Sequence, residues 1–127
     1  MVATEPSWSA VTGAIRVQQQ AGSLEQAAAK HLRGHGLKLN QFLLLAVLAD
    51  SAYGQARSTD IATRLGLTTG GVTRLVARSV QRSFVYRKPN PDDKRSVLIA
   101  VTAYGLQRMT EATPGFVDLV AGSVVAP

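Results

Sequence analysis

The fold of this chain is decided by the stretch from Arg57 to Arg95, which reads RSTDIATRLGLTTGGVTRLVARSVQRSFVYRKPNPDDKR. It predicts a helix that is capped by Ser58 and closed by Gly66, a residue that permits a sharp turn. A second helix should follow, with Thr68 or Thr69 as its cap. Apolar residues recur in it every three or four positions, which predicts a buried side made of Val72, Leu75, Val76 and Val80.

A β-hairpin is predicted after the second helix. Its strands are Phe84 to Arg87 and Ser96 to Val101. Pro89 and Pro91 should exclude the connecting loop from the sheet and stiffen it. A helix, a tight turn, a helix and a hairpin with a basic loop make up a winged helix-turn-helix. The fold class expected is therefore mainly α with a small β-hairpin wing, an α+β fold.

The positive charge of the chain is concentrated in this same stretch. The whole sequence carries 14 Lys+Arg and 8 Asp+Glu, a formal net charge of +6. Nine of the basic and three of the acidic residues fall between Arg57 and Arg95, an excess of six, whereas five basic and five acidic residues elsewhere cancel. A concentrated basic region is the electrostatic signature of binding to nucleic-acid phosphates. The alternative, a generally basic solvated surface, fits an even spread of charge better.

The second helix carries polar residues on the side opposite its apolar stripe. Thr73, Arg74 and Arg78 lie there, and Arg can bind guanine edges or phosphate while Thr can bind phosphate or a thymine methyl. Gly70 and Gly71 should let the N-terminus of this helix approach DNA closely. The alternative for the two arginines is an ordinary solvated helix face.

The hairpin loop adds a second basic surface. Lys94 and Arg95 are expected to reach a phosphate or the minor groove. DNA repels Asp93, so its expected role is to orient Arg95 or Arg87 by a charge-assisted hydrogen bond. The DNA-binding residues predicted in all are Ser58, Thr68, Thr69, Gly70, Thr73, Arg74, Arg78, Arg87, Lys88, Asp93, Lys94 and Arg95.

Helices are also predicted before this module. Residues 7–34 form the first, with a kink or a restart at Gly22-Ser23, where Ser23 and Gln26 could form a capping box. Residues 39–49 form the second; Asn40 is its expected cap, and it is apolar nearly all round and therefore buried. A loop at 50–56 connects it to the module.

The chain is expected to be helical again after Thr102. A helix should run from Ala103 to about Ala112, break at Pro114-Gly115, and resume as a short apolar helix. The apolar residues of the two terminal regions exceed what one small core needs, so a second copy of the chain should cover them. They are Trp8, Val11, Ile15, Phe116, Leu119 and Val120.

Composition excludes several other classes of protein. With 127 residues, 46% of them hydrophobic, the chain should form one folded domain, and the lack of cysteine excludes disulfides and thiolate metal sites. No signal peptide or membrane span is evident, so a cytoplasmic protein is expected. No enzyme motif is evident, and His31 and His35, four residues apart, have no third ligand for zinc, so neither a metal nor another cofactor is expected.

Three motifs resemble those of the MarR family of bacterial regulators. The recognition-helix pattern is matched by Val72-Thr73-Arg74-Leu75-Val76-Ala77-Arg78. The wing pattern is matched by Pro91-Asp92-Asp93-Lys94-Arg95-Ser96, and the segment that closes it by Val101-Thr102-Ala103-Tyr104-Gly105. The chain departs from the family at Ser79, where an apolar residue is usual, and at Ser83, where glycine is usual.

The resemblance implies a homodimer that binds a pseudopalindromic operator in double-stranded DNA. It also implies control by a small, often aromatic or phenolic, ligand. The organisation expected is a single MarR-like domain over 1–127, with the winged helix-turn-helix at about 38–101 and dimerisation helices at about 7–34 and 102–124. Residues that could line an effector pocket, if they do not serve the core, are Trp8, His35, Phe42 and Tyr53.

The function predicted is therefore that of a sequence-specific DNA-binding transcriptional regulator, a repressor under the control of a small ligand. The alternative is a winged-helix dimer that senses a ligand or binds a protein and binds DNA only weakly. Ser79, Ser83 and the paired glycines favour this alternative, because they could alter the packing of the recognition helix.

Overall fold

The computed structural model describes the backbone of residues 8–125 and the side chains of residues 21–122. Five α-helices and three short strands follow one another within residues 8–125. In order these are α1 (Trp8–Arg33), α2 (Leu39–Ala49), a 3-10 turn (Ala52–Gly54), β1 (Gln55–Arg57), α3 (Ser58–Leu65), α4 (Thr69–Gln81), β2 (Val85–Pro89), β3 (Val97–Val101) and α5 (Ala103–Val125). The predicted class, mainly α with a small β wing, is confirmed.

The strands form one antiparallel sheet in the order β1-β3-β2. Ile99 in the central strand is opposite Ala56 of β1 on one side and Arg87 of β2 on the other. The prediction of a plain loop at 50–56 was wrong, because its last residues add β1 to the hairpin. A strand of three residues is too short for its alternation to show in a sequence.

The core lies where α2 meets α3, α4, the sheet and α5. Its largest fully buried side chains include Leu32, Leu44, Leu45, Leu48, Ile61, Phe84 and Ile99. The prediction that α2 is buried on most sides is confirmed by its six buried residues. Phe116 of α5 is partly buried and packs against this core, with its ring centroid 4.7 Å from that of Phe42.

Both terminal helices run without the interruptions that were predicted for them. The expected restart at Gly22-Ser23 and the expected break at Pro114-Gly115 were wrong, since α1 and α5 each run through these pairs as one helix. The two helices pack on each other, and the His31 ring joins them through a 2.9 Å contact between Nε2 and the Ala112 carbonyl. At Pro114-Gly115 this packing overrides the local helix-breaking tendency of proline and glycine.

The caps and the hairpin differ from the prediction in three details. Lys38, not Asn40, is the N-cap of α2, because its N–H donates to the Gln41 Oε1 at 2.9 Å. Ser58 is the first residue inside α3 rather than its cap. Pro89 pairs with Val97 inside the ladder, where it is tolerated because β2 is an edge strand.

Within the part of the chain that the structure describes, no helix combines the length and the apolar character needed to cross a membrane.

Candidate nucleic-acid interface

Helix α4 is anchored by its cap and its apolar side. The Thr68 Oγ1 accepts a hydrogen bond from the Gly71 N–H at 3.0 Å, so of the two predicted caps it is Thr68 that forms one. A Cβ on Gly71 would lie 3.3 Å from the Thr68 Oγ1, so the glycine lets the cap close tightly. The buried residues of α4 are Val72, Leu75, Val76 and Ser79.

The opposite side of α4 is exposed, as the helical spacing predicts. Thr73, Arg74 and Arg78 all lie there. The Thr73 hydroxyl donates to the Thr69 carbonyl at 3.0 Å, which leaves its oxygen and methyl group at the surface. This face can enter a groove of DNA, with two guanidinium groups one turn apart.

Ser79 is accommodated inside the core without an unsatisfied polar group. Its side chain is fully buried, and its hydroxyl donates to the Leu75 carbonyl at 2.8 Å. A buried hydroxyl is costly only when it lacks a partner. The departure from an apolar residue at this position therefore leaves α4 seated on the core.

Ser83 ends α4 in the left-handed conformation, with φ of 63°. The chain closes there through the Ser83 N–H on the Val80 carbonyl and the Phe84 N–H on the Ser79 carbonyl, both at 2.9 Å. This conformation favours glycine and costs other residues roughly 1–2 kcal/mol. The serine therefore keeps the geometry expected of glycine at some energetic cost.

A joint, here called the α4–α5 joint and made by the exposed Ser83, the half-buried Thr102 and the buried Phe84 and Gly105, links the end of α4 to the start of α5. The Thr102 hydroxyl lies 2.6 Å from the Ser83 carbonyl oxygen and accepts from the Gly105 N–H at 2.9 Å. The Thr102 N–H donates to the Phe84 carbonyl at 3.0 Å. A Cβ on Gly105 would lie 2.2 Å from that same carbonyl oxygen, so only glycine fits. Sequence reasoning found Thr102 and Gly105 as part of a motif and assigned them no role.

The tip of the wing is held by its own polar groups. The Asn90 side-chain amide donates to the Ser96 Oγ at 2.9 Å, and its carbonyl oxygen accepts from the Asp92 N–H at 3.0 Å. Asp93 accepts from the backbone N–H of Arg95 at 3.0 Å, whereas the Arg95 Nε is 3.9 Å away and its side chain is 97% exposed. Asp93 therefore fixes the backbone turn more firmly than it orients the guanidinium group.

The remaining predicted contact residues lie on different parts of the surface. Ser58, Thr69, Gly70, Arg87 and Lys94 are exposed. Lys88 is half-buried and its Nζ donates to the Gln55 Oε1 at 2.9 Å, so it bridges β2 and β1 across the sheet.

The basic residues divide by whether a carboxylate neutralises them. Arg57 lies 3.2 Å from Asp60 and Arg64 lies 2.9 Å from Asp50. Among the described side chains, neither Arg74 nor Arg78 forms an ion pair. Part of the unneutralised positive charge thus lies on the exposed side of α4, where an anionic ligand can reach it.

The predicted effector residues lie in unlike surroundings. Phe42 is buried against Phe116, and Tyr53 is 95% exposed on the 3-10 turn. His35 is half-buried, with its ring centroid 4.9 Å from that of His31. The Trp8 side chain lies outside the described residues, as do those of Val11 and Ile15.

Known proteins similar to this chain are transcriptional regulators. A family model described as the MarR family matches residues 35–96. The HTH-type transcriptional repressor YetL of Bacillus subtilis is 29% identical over 85 residues, which are 67% of this chain and 51% of that protein. The HTH-type transcriptional regulator MhqR of the same organism is 27% identical over 67% of this chain and 57% of its own length. The chain thus spans just over half the length of the curated relatives it matches.

Solved structures agree with this result over nearly the whole chain. Sco3205, a MarR family transcriptional regulator from Streptomyces coelicolor in complex with DNA, is 28% identical with a TM-score of 0.83, covering 96% of this chain and 79% of that one. AbsC, a MarR family transcriptional regulator from the same organism, has a TM-score of 0.90 at 21% identity and covers 98% of this chain and 86% of its own. At this low identity the likeness to AbsC shows a shared fold and nothing more.

Proposed function

We propose that the chain is a member of the MarR family and a sequence-specific DNA-binding transcriptional regulator that acts as a repressor. The observation that carries the proposal is the exposed side of α4, where Arg74 and Arg78 have no carboxylate partner among the described residues. In this proposal α4 reads base edges in the major groove, and the exposed Lys94 and Arg95 of the wing bind the backbone or the minor groove.

The proposal includes a homodimer on a pseudopalindromic site. Helix α5 leaves large apolar side chains exposed, namely Tyr104, Leu106 and Val117. A second copy that covers this helix and α1 would place two copies of α4 for two half-sites. Control by a small aromatic or phenolic ligand and a cytoplasmic location belong to the same proposal, as does the division into a central winged helix and terminal dimerisation helices.

The experiment starts with selection of bound duplexes from a random pool. Affinity for the selected duplex and for a random duplex is then measured at several salt concentrations, with sedimentation to give the oligomeric state. We expect a selected sequence with two related half-sites and binding that weakens linearly with the logarithm of salt concentration. A pool without enrichment, together with weak binding to every duplex, would instead favour the winged-helix dimer that senses a ligand or binds a protein.

A further inference from the structure

Two adjoining cavities lie between the α1–α2 corner and helix α4. Their volumes are about 550 and 430 Å³. They share Lys38, Gln41 and Arg78 in their walls, so together they form one groove, here called the corner groove. Arg78 belongs to the exposed side of α4, and the corner groove is therefore continuous with the surface proposed to bind DNA.

Positive charge dominates the walls of the corner groove. Five cations line it, and Glu25 is the one acidic residue among the described side chains of its walls. None of these five forms an ion pair with a described residue, whereas Arg57, Arg64 and Arg108 elsewhere each pair with a carboxylate. Like charges placed together repel one another, and an anionic ligand would relieve that repulsion. The cations are Arg33, Lys38, Arg74, Arg78 and Arg82.

Gln41 supplies a neutral donor to the same groove. Its residue is only 6% exposed, and its Oε1 accepts from the Lys38 N–H at 2.9 Å. The amide nitrogen of this side chain has no acceptor among the described residues, although Gln41 lines both cavities. This NH₂ group keeps access to solvent at the groove, so it can donate a hydrogen bond to an oxyanion bound there.

The corner is fixed relative to α4. The Arg82 Nη2 donates to the Gly36 carbonyl at 3.3 Å, and Gly36 makes the turn between α1 and α2 with φ of 73°. A helix is about 10 Å thick and the major groove about 12 Å wide, so DNA backbone runs along both sides of an inserted helix. A basic groove beside α4 is therefore placed to meet one of these backbones.

We propose that the corner groove binds a backbone phosphate of the DNA, with Lys38 as its principal cation and the Gln41 amide as a second donor. The inference rests on the proposed function and extends it, since Lys38 and Gln41 lie outside the recognition helix and the wing. The corner groove thus adds a third contact surface to those on α4 and the wing.

The first test is the salt dependence of binding by Lys38→Gln. A random duplex and the selected duplex are titrated by fluorescence anisotropy at several salt concentrations. Loss of one phosphate contact should weaken binding to both duplexes and lower the salt slope by about one per subunit. Lys30→Gln is the matched control, because it removes the same charge from an exposed position of α1 outside the groove walls. Lys30→Gln should leave the slope unchanged, and Lys38→Arg should restore it.

A second arm locates the contact on the DNA. Single backbone phosphates of the selected duplex are replaced by neutral methylphosphonates, one position at a time. The phosphate held in the corner groove is the position at which neutralisation weakens the wild-type protein but has no effect on Lys38→Gln. Gln41→Glu, which keeps the acceptor for the Lys38 N–H and adds a negative charge, should lose more affinity than Lys38→Gln.

The outcomes separate this inference from the proposed function. A wild-type protein that binds no duplex overturns both. A wild-type protein with salt-dependent binding, whose slope Lys38→Gln leaves unchanged, overturns the corner groove alone. A free anion is the other possible source of an oxyanion, and calorimetry with inorganic phosphate tests it. If the wild type binds phosphate tightly, Lys38→Gln does not, and the salt slope of duplex binding is unchanged in Lys38→Gln, the groove is a site for a free anion. That result would also overturn the DNA contact.

Discussion

Helix α4 and the wing present neighbouring positive charges, but different kinds of contact hold them in place. The apolar side of α4 is set into the core, and its C-terminal end is tied to α5 by the α4–α5 joint. The tip of the wing from Asn90 to Ser96 is held by short-range hydrogen bonds at the surface. Substitutions on the buried side of α4 should therefore change both stability and DNA binding, whereas substitutions in the wing should change DNA binding alone.

The largest effect is expected at Gly105. Gly105→Ala places a Cβ 2.2 Å from the Phe84 carbonyl oxygen, a backbone atom that cannot move without shifting the start of β2. We expect a loss of roughly 3 kcal/mol in the free energy of unfolding, measured by denaturant titration.

Gly122→Ala is the matched control for Gly105→Ala, because it lies in the same helix and a Cβ there meets nothing within 4 Å. It should raise stability by about 0.5–1 kcal/mol, the ordinary gain for alanine over glycine inside a helix. Equal stability changes in the two variants would show that the joint does not constrain α4.

The next largest effect is expected in the recognition of base pairs by α4. Arg74→Ala should cost about 1–3 kcal/mol of binding free energy on the selected duplex and relax the preference at one base pair. The unfolding free energy should stay unchanged, because Arg74 is exposed and forms no ion pair with a described residue.

Affinity for random duplex is the internal control for Arg74→Ala, and Arg64→Ala is the control variant. Arg64 is already paired with Asp50 at 2.9 Å, so its loss should affect DNA binding less. If Arg74→Ala lowered affinity for the selected and random duplexes equally, α4 would anchor the protein on DNA without reading its sequence.

The wing should show a smaller effect that does not depend on sequence. Arg95→Ala should weaken binding to most duplexes and lower the salt slope by about one per subunit, with an unchanged melting temperature. Asp93→Ala should produce a milder loss, because the Arg95 N–H loses its acceptor.

Asp93→Asn sharpens this test, since it keeps an oxygen for the Arg95 N–H while removing the charge. It should bind at least as well as the wild type, because one repulsion with phosphate is gone. If Asp93→Ala itself bound DNA more tightly than the wild type, Asp93 would be only a tolerated repulsion, with no part in positioning Arg95.

The sequence was most informative where a local pattern and the tertiary structure agree. The helical spacing of Val72, Leu75 and Val76 predicted which side of α4 is buried, and Gly66 with φ of 66° closes α3 as expected. The fold class and the likeness to the MarR family followed from the same short stretch of the chain.

The sequence was least informative where a distant contact decides the outcome. Pro114-Gly115 predicts a helix break, yet α5 continues because the His31 ring packs there, so close that a Cβ on Gly115 would lie 2.3 Å from it. The corner groove brings Gln41 and Lys38 beside Arg78, and no spacing along the chain indicates that approach.

The smallest effect should come from Ser83, the departure from glycine at the end of α4. Ser83→Gly should stabilise the protein by about 0.5–1 kcal/mol, because removing left-handed strain outweighs the extra entropy of glycine in the unfolded chain. Tyr53→Gly is the matched control, since Tyr53 also has a positive φ, 60°, and a side chain 95% exposed. Both variants should melt at a higher temperature, and both should bind the selected duplex within about twofold of wild type. A large change in affinity for Ser83→Gly alone would mean that the serine alters the tilt of α4, and that the α4–α5 joint affects base recognition as well as stability.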